Sequence, residues 1–465
     1  MGWSREPASF RDPTGFLFEQ NGVIFRQVNS CFGEQYRKLI DSGLYDELVR
    51  DRLLVSHEEV TLRIAELPSA HAILQPTRIP FISYPYEWCF GQLKAAALLT
   101  LELQRRAIGR GMMLRDASAY NVQFLGSQPI FIDTLSFGTY AEGEPWAAYR
   151  QFCQHFLNPL ALMALVHPSL GQLSRVYIDG IPMDVVAHLL PMSSHFRAGL
   201  LTHVHLHARS ISWGTKKHTG SPNPSNTRQM GRTAMLGLVD SLTRTVEGLS
   251  WKPPATLWST YADHCNYSPA AHDDKQKLVA EWLSLIGGRS TLETVWDIGA
   301  NIGSYSRIAA KHASVVVGFD ADHAAVEHHF RACAQRGDVR VLPLIQDLTN
   351  PSASIGWHHA ERRSLADRGT ADAAMALALV HHLAIGANVP LPAVAAFFGD
   401  VCRHLIVEFV PKEDSQVQRM LARREDIFID YSATRFEAAF TPHFEVIRSV
   451  VVSETVRTLY LMQRR

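Results

Sequence analysis

Three carboxylates and two glycines about two-thirds of the way along the chain have the types and spacing of a ligand site. In the segment "VWDIGANIGSYSRIAA", Asp297 ends an apolar run, and Gly299 and Gly303 follow it. Gly299 allows the backbone to turn without a Cβ clash, and Gly303 lets a helix start close to a ligand. A dinucleotide loop would read G-x-G-x-x-G after the strand. This segment reads D-x-G-x-x-x-G with Asn301 inside it, and its acid suits an ammonium group while it repels a pyrophosphate.

Two further acids end the next two apolar runs. Asp320 closes "VVVGFD", where it can accept hydrogen bonds from two ribose hydroxyls. Asp347 closes "VRVLPLIQD", where it can accept from an adenine amino group. One acid for an amine, one for ribose and one for adenine together describe S-adenosylmethionine as the cofactor. The alternative is that all three are solvated strand-end acids and that the glycines serve only packing.

The elements that must position these residues alternate regularly. Short apolar runs ("TVWDIG", "SVVVGFD", "VRVLPLIQD", "DAAMALAL", "HLIVEFV") are separated by helical stretches such as 274–286. Near-continuous apolar strands between helices predict a parallel sheet covered on both faces, hence an α/β fold. Ligands in such sheets lie at the carboxyl ends of the strands. The tail, 443–463, reads instead as two antiparallel strands joined by a tight turn.

This constellation resembles the class I (Rossmann-like) methyltransferases over roughly 256–465. The resemblance implies a mostly parallel seven-stranded sheet with an antiparallel last strand, and S-adenosyl-L-methionine as cofactor. Asn301 departs from the commonest loop of that family. The residues that we expect to bind the cofactor are Asp297, Gly299, Asn301, Gly303, Asp320 and Asp347.

Two adjacent histidines follow the fourth predicted strand, in "LALVHHLAIG". Methyl transfer from a sulfonium is an in-line displacement, and a hydroxyl or ammonium acceptor must also lose a proton. Since histidine titrates near neutral pH, His381 and His382 are candidate general bases. Alternatively, the pair caps the strand or packs against the cofactor.

Polar residues in two other loops are candidates for binding the acceptor. After the fifth strand, "EFVPKEDSQV" supplies Glu408, Lys412 and Asp414. The segment "GWHHAERRSLADRG" (356–369) supplies Trp357, and it is either a substrate loop or a solvated helix start.

The front half carries a second pattern. "LRDASAYNVQFLGSQPIFIDTLSF" contains Asp116 and Asn121 in the spacing D-x4-N, then Asp133 at the end of a short strand. This is similar to the catalytic loop and metal-binding Asp of protein kinases and aminoglycoside phosphotransferases. The resemblance implies an α+β domain in which Asp116 is the base and the other two bind magnesium. Leu114 stands where a histidine is expected, and neither a glycine-rich loop nor a strand lysine with its helix glutamate is found. A structural hairpin, a degraded kinase-like module and an active kinase all stay open.

Smaller signals complete the first half. "QNG" near residue 21 predicts a hairpin turn, and 92–111 predicts a helix. In "THVHLHARS", the histidines at 203, 205 and 207 have an i, i+2, i+4 spacing that puts only the outer two on one helix face. We therefore interpret them as a solvated helix end rather than a metal site, and the sequence predicts no metal site apart from the magnesium ligands that the kinase resemblance implies.

The chain divides at a segment rich in Ser, Thr, Asn, Pro and Gly. We predict a kinase-like domain at 1–207, a linker at 208–229, a connecting helix at 230–255 and a methyltransferase domain at 256–465.

Composition limits the partners. The 465 residues are 46% hydrophobic and 19% charged, with 45 Lys+Arg and 45 Asp+Glu. Zero formal charge gives no electrostatic reason to expect nucleic acid or an anionic membrane. Six scattered cysteines, no apolar signal at the start and no run of membrane-spanning length predict a cytoplasmic protein with reduced thiols. The expected partner is an unidentified methyl acceptor, a small molecule or saccharide rather than nucleic acid, and the oligomeric state stays open.

The whole chain also resembles rhizobial host-specificity nodulation proteins of the NoeA type, which pair a "DASAYNVQF" front half with a "WDIGANIG" back half. The resemblance implies a role in making or decorating a nodulation signal. The leading hypothesis is a methyltransferase. The alternatives are a non-catalytic cofactor-binding scaffold or an ATP-dependent phosphotransferase in the N-terminal half.

Overall fold

The computed structural model describes residues 3–61, 70–210, 230–254, 267–422 and 424–465, in two compact units. The first unit comprises Met1–Phe124, Pro129–Lys252 and Ser354–Arg362. The second comprises Leu125–Gln128, Pro253–Ala353 and Arg363–Arg465. Across the described ranges, no helix combines the length and hydropathy needed to cross a bilayer.

An antiparallel sheet of five strands opens the first unit. Its strands are β1 (Trp3–Arg5), β2 (Gly15–Gln20), β3 (Val23–Asn29), β4 (His57–Glu59) and β5 (Ala70–Pro76), in the order β1-β2-β3-β5-β4. The β2–β3 turn has positive φ at both central residues, Asn21 (53°) and Gly22 (79°). Because that geometry matches the twist of the strands, Asn-Gly is favoured there, and the hairpin predicted from "QNG" is confirmed.

Helices and two short strand pairs make up the rest of the first unit. The strand pairs are β6 (Met112–Leu114) with β9 (Phe137–Thr139) and β7 (Val122–Leu125) with β8 (Gln128–Phe131). The α-helices are α1 (Gly33–Asp41), α2 (Leu44–Arg50), α3 (Phe90–Gly109), α4 (Tyr149–Phe152), α5 (Asn158–Leu165), α6 (Leu173–Val176), α7 (Met183–Leu189), α8 (Ala198–Leu200) and α9 (Arg232–Gly248), with π-helices at Cys153–Leu157 and Leu201–Leu206. Helix α3 confirms the helix predicted for 92–111. The unit is α+β as predicted, while its likeness to a kinase stays a prediction.

The predicted connecting helix lies within the first unit. Lys94 of α3 donates to the backbone carbonyls of Glu247 and Leu249, both at 2.8 Å, and Arg105 pairs with Asp240 of α9 at 2.7 Å. These contacts hold α9 against α3, so the first unit extends to Lys252. Most of the predicted linker, 211–229, lies outside the described residues.

The second unit is built on a seven-stranded sheet. Its strands are β10 (Leu292–Ile298), β11 (Ala313–Asp320), β12 (Val341–Ile345), β13 (Ala371–Ala376), β14 (Cys402–Phe409), β15 (Phe444–Val451) and β16 (Thr458–Arg464), in the order β12-β11-β10-β13-β14-β16-β15. Its helices are α10 (Pro269–Gly287), α11 (Ser304–Ala309), α12 (His323–Arg336), α13 (Leu391–Val401), α14 (Ser415–Leu421) and α15 (Ala433–Phe440), with a π-helix at His382–Gly386.

The first five of these strands are parallel, and β16 is antiparallel to both of its neighbours, β14 and β15. The α/β sheet and the antiparallel pair predicted for 443–463 are therefore confirmed. The apolar runs follow from burial on both faces: all five residues of β12 are buried, and so are Ala373 to Ala376 of β13.

The strand order determines where a ligand can bind. From β10 the chain first proceeds outward to β11 and β12, and then returns to place β13 on the other side of β10. The order thus reverses between β10 and β13. In open α/β sheets the crevice at such a reversal, at the carboxyl ends of the strands, is the ligand site. The loop after β10 lies at this reversal.

Candidate functional site

The loop between β10 and α11 is a tight turn shaped by three left-handed residues. Gly299, Asn301 and Gly303 have φ values of 82°, 50° and 79°. Glycine adopts such angles without strain, and asparagine is among the few other residues that tolerate them. The amides of Gly299 and Ala300 both donate to the carbonyl of Phe319, at 2.8 and 2.9 Å, which ties the loop to the end of β11.

Asp320 fastens the other side of this loop. Its Oδ2 accepts from the backbone N–H of Asn301 at 2.8 Å, and its Oδ1 accepts from that of Asp322 at 2.9 Å. Since a carboxylate has about four acceptor sites, it keeps capacity to accept from a ligand. Burial raises the pKa of this partly exposed carboxyl to about 6, against the lowering effect of the backbone amides of Asp322, Asn301 and Ala321. The arrangement suits two neighbouring hydroxyl donors.

Asp297 is the buried member of the site. Its carboxylate is 2% exposed, and its Oδ2 accepts from the hydroxyl of Ser306 at 2.6 Å. Burial raises its pKa to about 6, the Ser306 hydrogen bond opposes that rise, and the nearby Asp320 carboxylate adds to it. Asp320 is thus close enough to Asp297 to raise its pKa. Asp297 also joins α11 to β10 through Ser306.

Asp347 lies just beyond β12 and is exposed. One carboxylate oxygen accepts from the backbone N–H and the hydroxyl of Thr349, at 2.8 and 2.7 Å, which forms a turn. The register pairs Asp320 with Ile345, so Asp347 follows at the same edge of the sheet. The three acids predicted to bind a cofactor therefore end three adjacent strands at one edge.

The sequence analysis missed His329 of α12, whose ring fills the space beside the loop. A Cβ on Gly303 would lie 2.0 Å from its Nε2, and one on Gly318 would lie 3.0 Å from its Cε1. The ring is 1% exposed, and neither nitrogen has a hydrogen-bond partner in the described part of the chain. Burial lowers its pKa to about 3. Packing against His329 is therefore one reason for glycine at position 303, and the approach of a ligand there stays a prediction.

The histidine pair follows β13, after a left-handed alanine, Ala378, with φ of 53°. A left-handed alanine is strained, and such strain concentrates at functional sites. The His381 ring is 0% exposed and has no hydrogen-bond partner for either nitrogen in the described residues, and it lies 4.1 Å from the ring of His382. Burial lowers the pKa of His381 well below its usual value and that of His382 to about 4. Both are therefore neutral near pH 7 and weakly basic.

Glu408, expected to line an acceptor pocket, lies inside a buried ion cluster at the end of β14. Lys275 donates to its Oε2 at 2.7 Å, the hydroxyl of Tyr267 donates to its Oε1, and Arg457 lies 3.9 Å from the same oxygen. Lys275, Glu408 and Arg457 are 3%, 0% and 1% exposed. Despite burial, these cations lower the pKa of Glu408.

The two other acceptor candidates of this region are also engaged internally. Asp414 accepts two hydrogen bonds from Arg457, at 2.7 and 3.2 Å, and caps α14 by accepting from Gln416 N at 2.8 Å. Lys412 pairs with Asp426 at 2.7 Å. The structure therefore gives Glu408, Lys412 and Asp414 partners within the protein, and a role of any of them toward an acceptor stays a prediction.

One signal could have revealed Lys275. Ala271, Lys275 and Val279 recur at intervals of four on the buried face of α10, so a lysine interrupts an apolar stripe. A charge at such a position must be paired when buried. Nothing comparable marks Arg457, which lies in the turn between β15 and β16.

Trp357 belongs to the first unit, whereas the strand-end acids and the histidine pair belong to the second. Its side chain is 72% exposed, on a loop closed by a bridge between Ile355 and Arg362. Glu361 stabilises this loop by accepting from the backbone N–H of Trp357 at 2.9 Å and from Arg11 at 2.7 Å. The role of Trp357 toward an acceptor stays a prediction.

The kinase-like residues of the first unit do lie together. Asp116 accepts from the backbone N–H of Ser118 at 2.8 Å, and burial raises its pKa. Asn121 donates to the hydroxyl of Ser136 at 3.2 Å, and Ser136 in turn donates to Asp133.

The carboxylate to which the resemblance assigns magnesium already has a cation. Asp133 forms an ion pair with Arg26 of β3, and both side chains are largely buried. Among the described residues, no group of three or more His, Cys, Asp or Glu side chains is arranged to hold a metal ion. The histidines at 203 and 205 are buried rather than solvated, because they lie in a π-helix packed inside the unit.

One relative covers almost the whole chain. No protein-family model matches. The nodulation protein NoeA of Rhizobium meliloti (strain 1021) is 36% identical over 469 residues, which cover 99% of this chain and 96% of the relative. The chain belongs to the NoeA family of nodulation proteins.

Solved structures similar to this NoeA-family protein match only part of it. The N-methyltransferase NodS from Bradyrhizobium japonicum WM9 is 10% identical, with a TM-score of 0.32 over 42% of this chain and 98% of its own. Magnesium protoporphyrin IX methyltransferase (ChlM) from Synechocystis PCC 6803 with bound SAH is 18% identical, with a TM-score of 0.31 over 42% and 84%. WbdD is 15% identical, with a TM-score of 0.31 over 44% and 42%. TM-scores this low carry no argument about function. The functional proposal rests instead on the geometry of the site.

Proposed function

We propose that the second unit of this NoeA-family protein binds S-adenosylmethionine and transfers its methyl group to a small-molecule or saccharide acceptor in nodulation. The observation that carries the proposal is the position of Asp320. Its carboxylate is fixed by the amides of Asn301 and Asp322 at the carboxyl end of β11, beside the glycine loop and the strand reversal. A fixed, partly exposed carboxylate at this position suits the adjacent hydroxyls of a ribose.

The other residues of the edge fit the remaining parts of that cofactor. Asp347 offers an exposed carboxylate to the adenine amino group. Asp297 supplies negative charge next to the loop, where it attracts a ligand ammonium. The cofactor, when bound, supplies an electrophilic methyl carbon on a sulfonium.

The chain's own part in the reaction is alignment and proton removal. His381 and His382 follow the carboxyl end of β13, just after the left-handed residue Ala378. A neutral imidazole can accept the proton that a hydroxyl or ammonium acceptor loses. The lowered pKa values of both histidines keep this form populated near pH 7, although they also make it a weak base.

One observation favours a second function, a cofactor-binding protein that does not transfer methyl groups. Glu408, Lys412 and Asp414 are all engaged in ion pairs within the protein. Under this alternative, the cofactor site is used for sensing or assembly, and the acidic and basic side chains near it serve stability.

Calorimetry with S-adenosylmethionine tests the shared part of both functions. Asp320→Asn should reduce affinity at least about tenfold, because it removes a charged acceptor of hydroxyl hydrogen bonds. The matched control is Asp372→Asn. The Asp372 carboxylate also accepts from a backbone amide, that of Glu293 at 2.7 Å, but it lies at the amino end of β13. No binding by the unaltered protein, or equal affinity in the two variants, contradicts the proposal.

Radiolabelled methyl donor and fractionated cell extract separate the two functions. A labelled product that disappears with both Asp320→Asn and His381→Ala supports methyl transfer. Cofactor binding with no labelled product in any fraction supports the non-catalytic alternative.

A further inference from the structure

The balanced charge of the whole chain conceals a long basic segment. From Val185 to Val239 the sequence contains no Asp or Glu. The same segment contains six Arg or Lys residues: Arg197, Arg209, Lys216, Lys217, Arg228 and Arg232. In a chain with 45 acidic and 45 basic side chains, this is a strong local excess of positive charge. Screening limits electrostatic attraction to about 8–10 Å at moderate ionic strength, so the local charge decides which partner is attracted.

The described part of this segment is held in a defined conformation. Helix α7 is followed by a 3-10 helix, Met192–Phe196, and then by α8 and the π-helix Leu201–Leu206. The ring of His195 stacks on that of His205 with centroids 3.7 Å apart. The hydroxyl of Ser194 lies 2.8 Å from Nε2 of His205. These contacts join the 3-10 helix to the π-helix.

Large apolar side chains stand out in this segment. Phe196 is 91% exposed, the highest fraction for a large apolar residue in the described ranges, and Met192 is 77% exposed. Leu189 and Leu206 are 46% and 48% exposed. Arg197 and Arg209 are exposed beside them. We call these six residues the apolar-basic surface: Leu189, Met192, Phe196, Arg197, Leu206 and Arg209.

We propose that the apolar-basic surface docks the first unit on an anionic lipid membrane. At a bilayer interface, Met192 and Phe196 leave water for the boundary between headgroups and acyl chains, while arginines attract anionic headgroups. A nucleic acid or an acidic polymer would satisfy the arginines but leave the apolar side chains in water. We expected no anionic membrane because the net charge of the whole chain is zero. That net charge does not describe the local charge of this surface.

Sedimentation of the full chain with vesicles tests the proposal. The protein should bind vesicles of phosphatidylcholine mixed with phosphatidylglycerol, and bind pure phosphatidylcholine vesicles much less. Met192→Ser/Phe196→Ser should reduce the partition coefficient about tenfold or more, because two apolar side chains no longer leave water. Arg197→Gln/Arg209→Gln should also reduce it, and added salt should weaken binding of the unaltered protein.

The chain offers a matched control in a segment of opposite charge. Ile427 and Ile429 are 64% and 86% exposed in the second unit, next to Glu425, Asp426 and Asp430. Ile427→Ser/Ile429→Ser also removes two largely exposed apolar side chains and should leave vesicle binding unchanged. Failure to bind the mixed vesicles, or an equal loss in both double variants, overturns the proposal. Binding to soluble polyglutamate that is as strong as vesicle binding, and insensitive to Phe196→Ser, would assign the surface to an acidic macromolecule and also overturn it.

Discussion

Lys275 of α10 and Glu408 of β14 form an ion pair of 2.7 Å with both side chains almost fully buried. The pair joins a helix that precedes the sheet to the carboxyl end of its fifth strand. The ammonium also lies 5.0 and 5.1 Å from the ring centroids of Tyr267 and Tyr305, so aromatic faces complete its surroundings. A buried charge that loses its partner destabilises a fold far more than an intact pair stabilises it.

Removing only the cation should therefore destabilise the second unit. Lys275→Met leaves the Glu408 carboxylate with less compensation and should cost about 3–5 kcal/mol. Lys275→Met/Glu408→Gln should recover part of that loss, because the uncompensated charge is gone. Hydrogen exchange of the β14 amides measures the effect on this unit alone. Lys277→Met, on the same helix, is the control and should have little effect. Equal protection in Lys275→Met and the unaltered protein would contradict the prediction.

The buried acid next to the glycine loop should make stability depend on pH. Folding raises the pKa of Asp297 to about 6, from about 3.9 in an unfolded chain. A raised carboxyl pKa means that the folded state holds the proton more tightly. Stability should therefore be greatest below pH 4 for this group and fall as pH rises toward 6, by roughly 3 kcal/mol. At neutral pH, ionisation of Asp297 therefore lowers the free energy of unfolding of the native protein.

Asp297→Asn should remove that loss, because asparagine keeps an oxygen for the Ser306 hydroxyl but carries no charge. Urea unfolding between pH 4 and pH 7 should show a smaller decline in the variant than in the unaltered protein. Asp430→Asn changes a 78% exposed carboxylate and should reproduce the original curve. The interpretation fails if the declines of the Asp297→Asn variant and the unaltered protein are parallel.

The tight contact between Gly303 and His329 predicts coupled substitutions. Gly303→Ala introduces a Cβ 2.0 Å from Nε2 of the ring and places alanine at φ of 79°. The left-handed conformation alone costs roughly 1–2 kcal/mol, and the clash adds to it. Gly303→Ala/His329→Ala should remove the clash but keep the backbone strain. A double-mutant cycle by urea unfolding should therefore give a favourable coupling energy, and additive effects would contradict the contact.

The sequence predicted the features that depend on local pattern. The strands follow from apolar runs, and the three acids follow from their places at the strand ends, because parallel strands bring their carboxyl ends to one edge. The partners of Glu408 were not predictable in the same way. Lys275 is 133 residues away, and only packing reveals that its ammonium faces inward. An acid after a strand can line a ligand pocket or form a buried ion pair, and the sequence pattern is the same for both roles.

Helix geometry explains another failure. We predicted solvated histidines at 203 and 205 from α-helical spacing, but Leu201–Leu206 is a π-helix. Hydrogen bonds from i to i+5 change which residues share a face, so spacing arguments made for an α-helix do not apply. His203 instead lies between two hydroxyls, with Tyr149 Oη at 2.9 Å and Ser241 Oγ at 2.8 Å. These partners lie 54 and 38 residues from His203 in the chain, so they cannot be predicted before the packing of the helices is known.

The ion pair between Arg26 and Asp133 makes the last prediction, which concerns divalent cations. The resemblance to kinases assigns Asp133 to magnesium, but its carboxylate is neutralised by a guanidinium from β3. Magnesium should therefore leave the thermal midpoint of the unaltered protein unchanged. Arg26→Ala should lower that midpoint and make it rise on addition of magnesium, since a ligand that binds only the folded state stabilises it. Arg26→Lys keeps a cation near Asp133 and should respond like the unaltered protein. The thermal midpoint of the unaltered protein could instead rise with magnesium as much as that of Arg26→Ala. That result would show that Arg26 does not compete with the metal, and would support the magnesium site that the kinase resemblance implies.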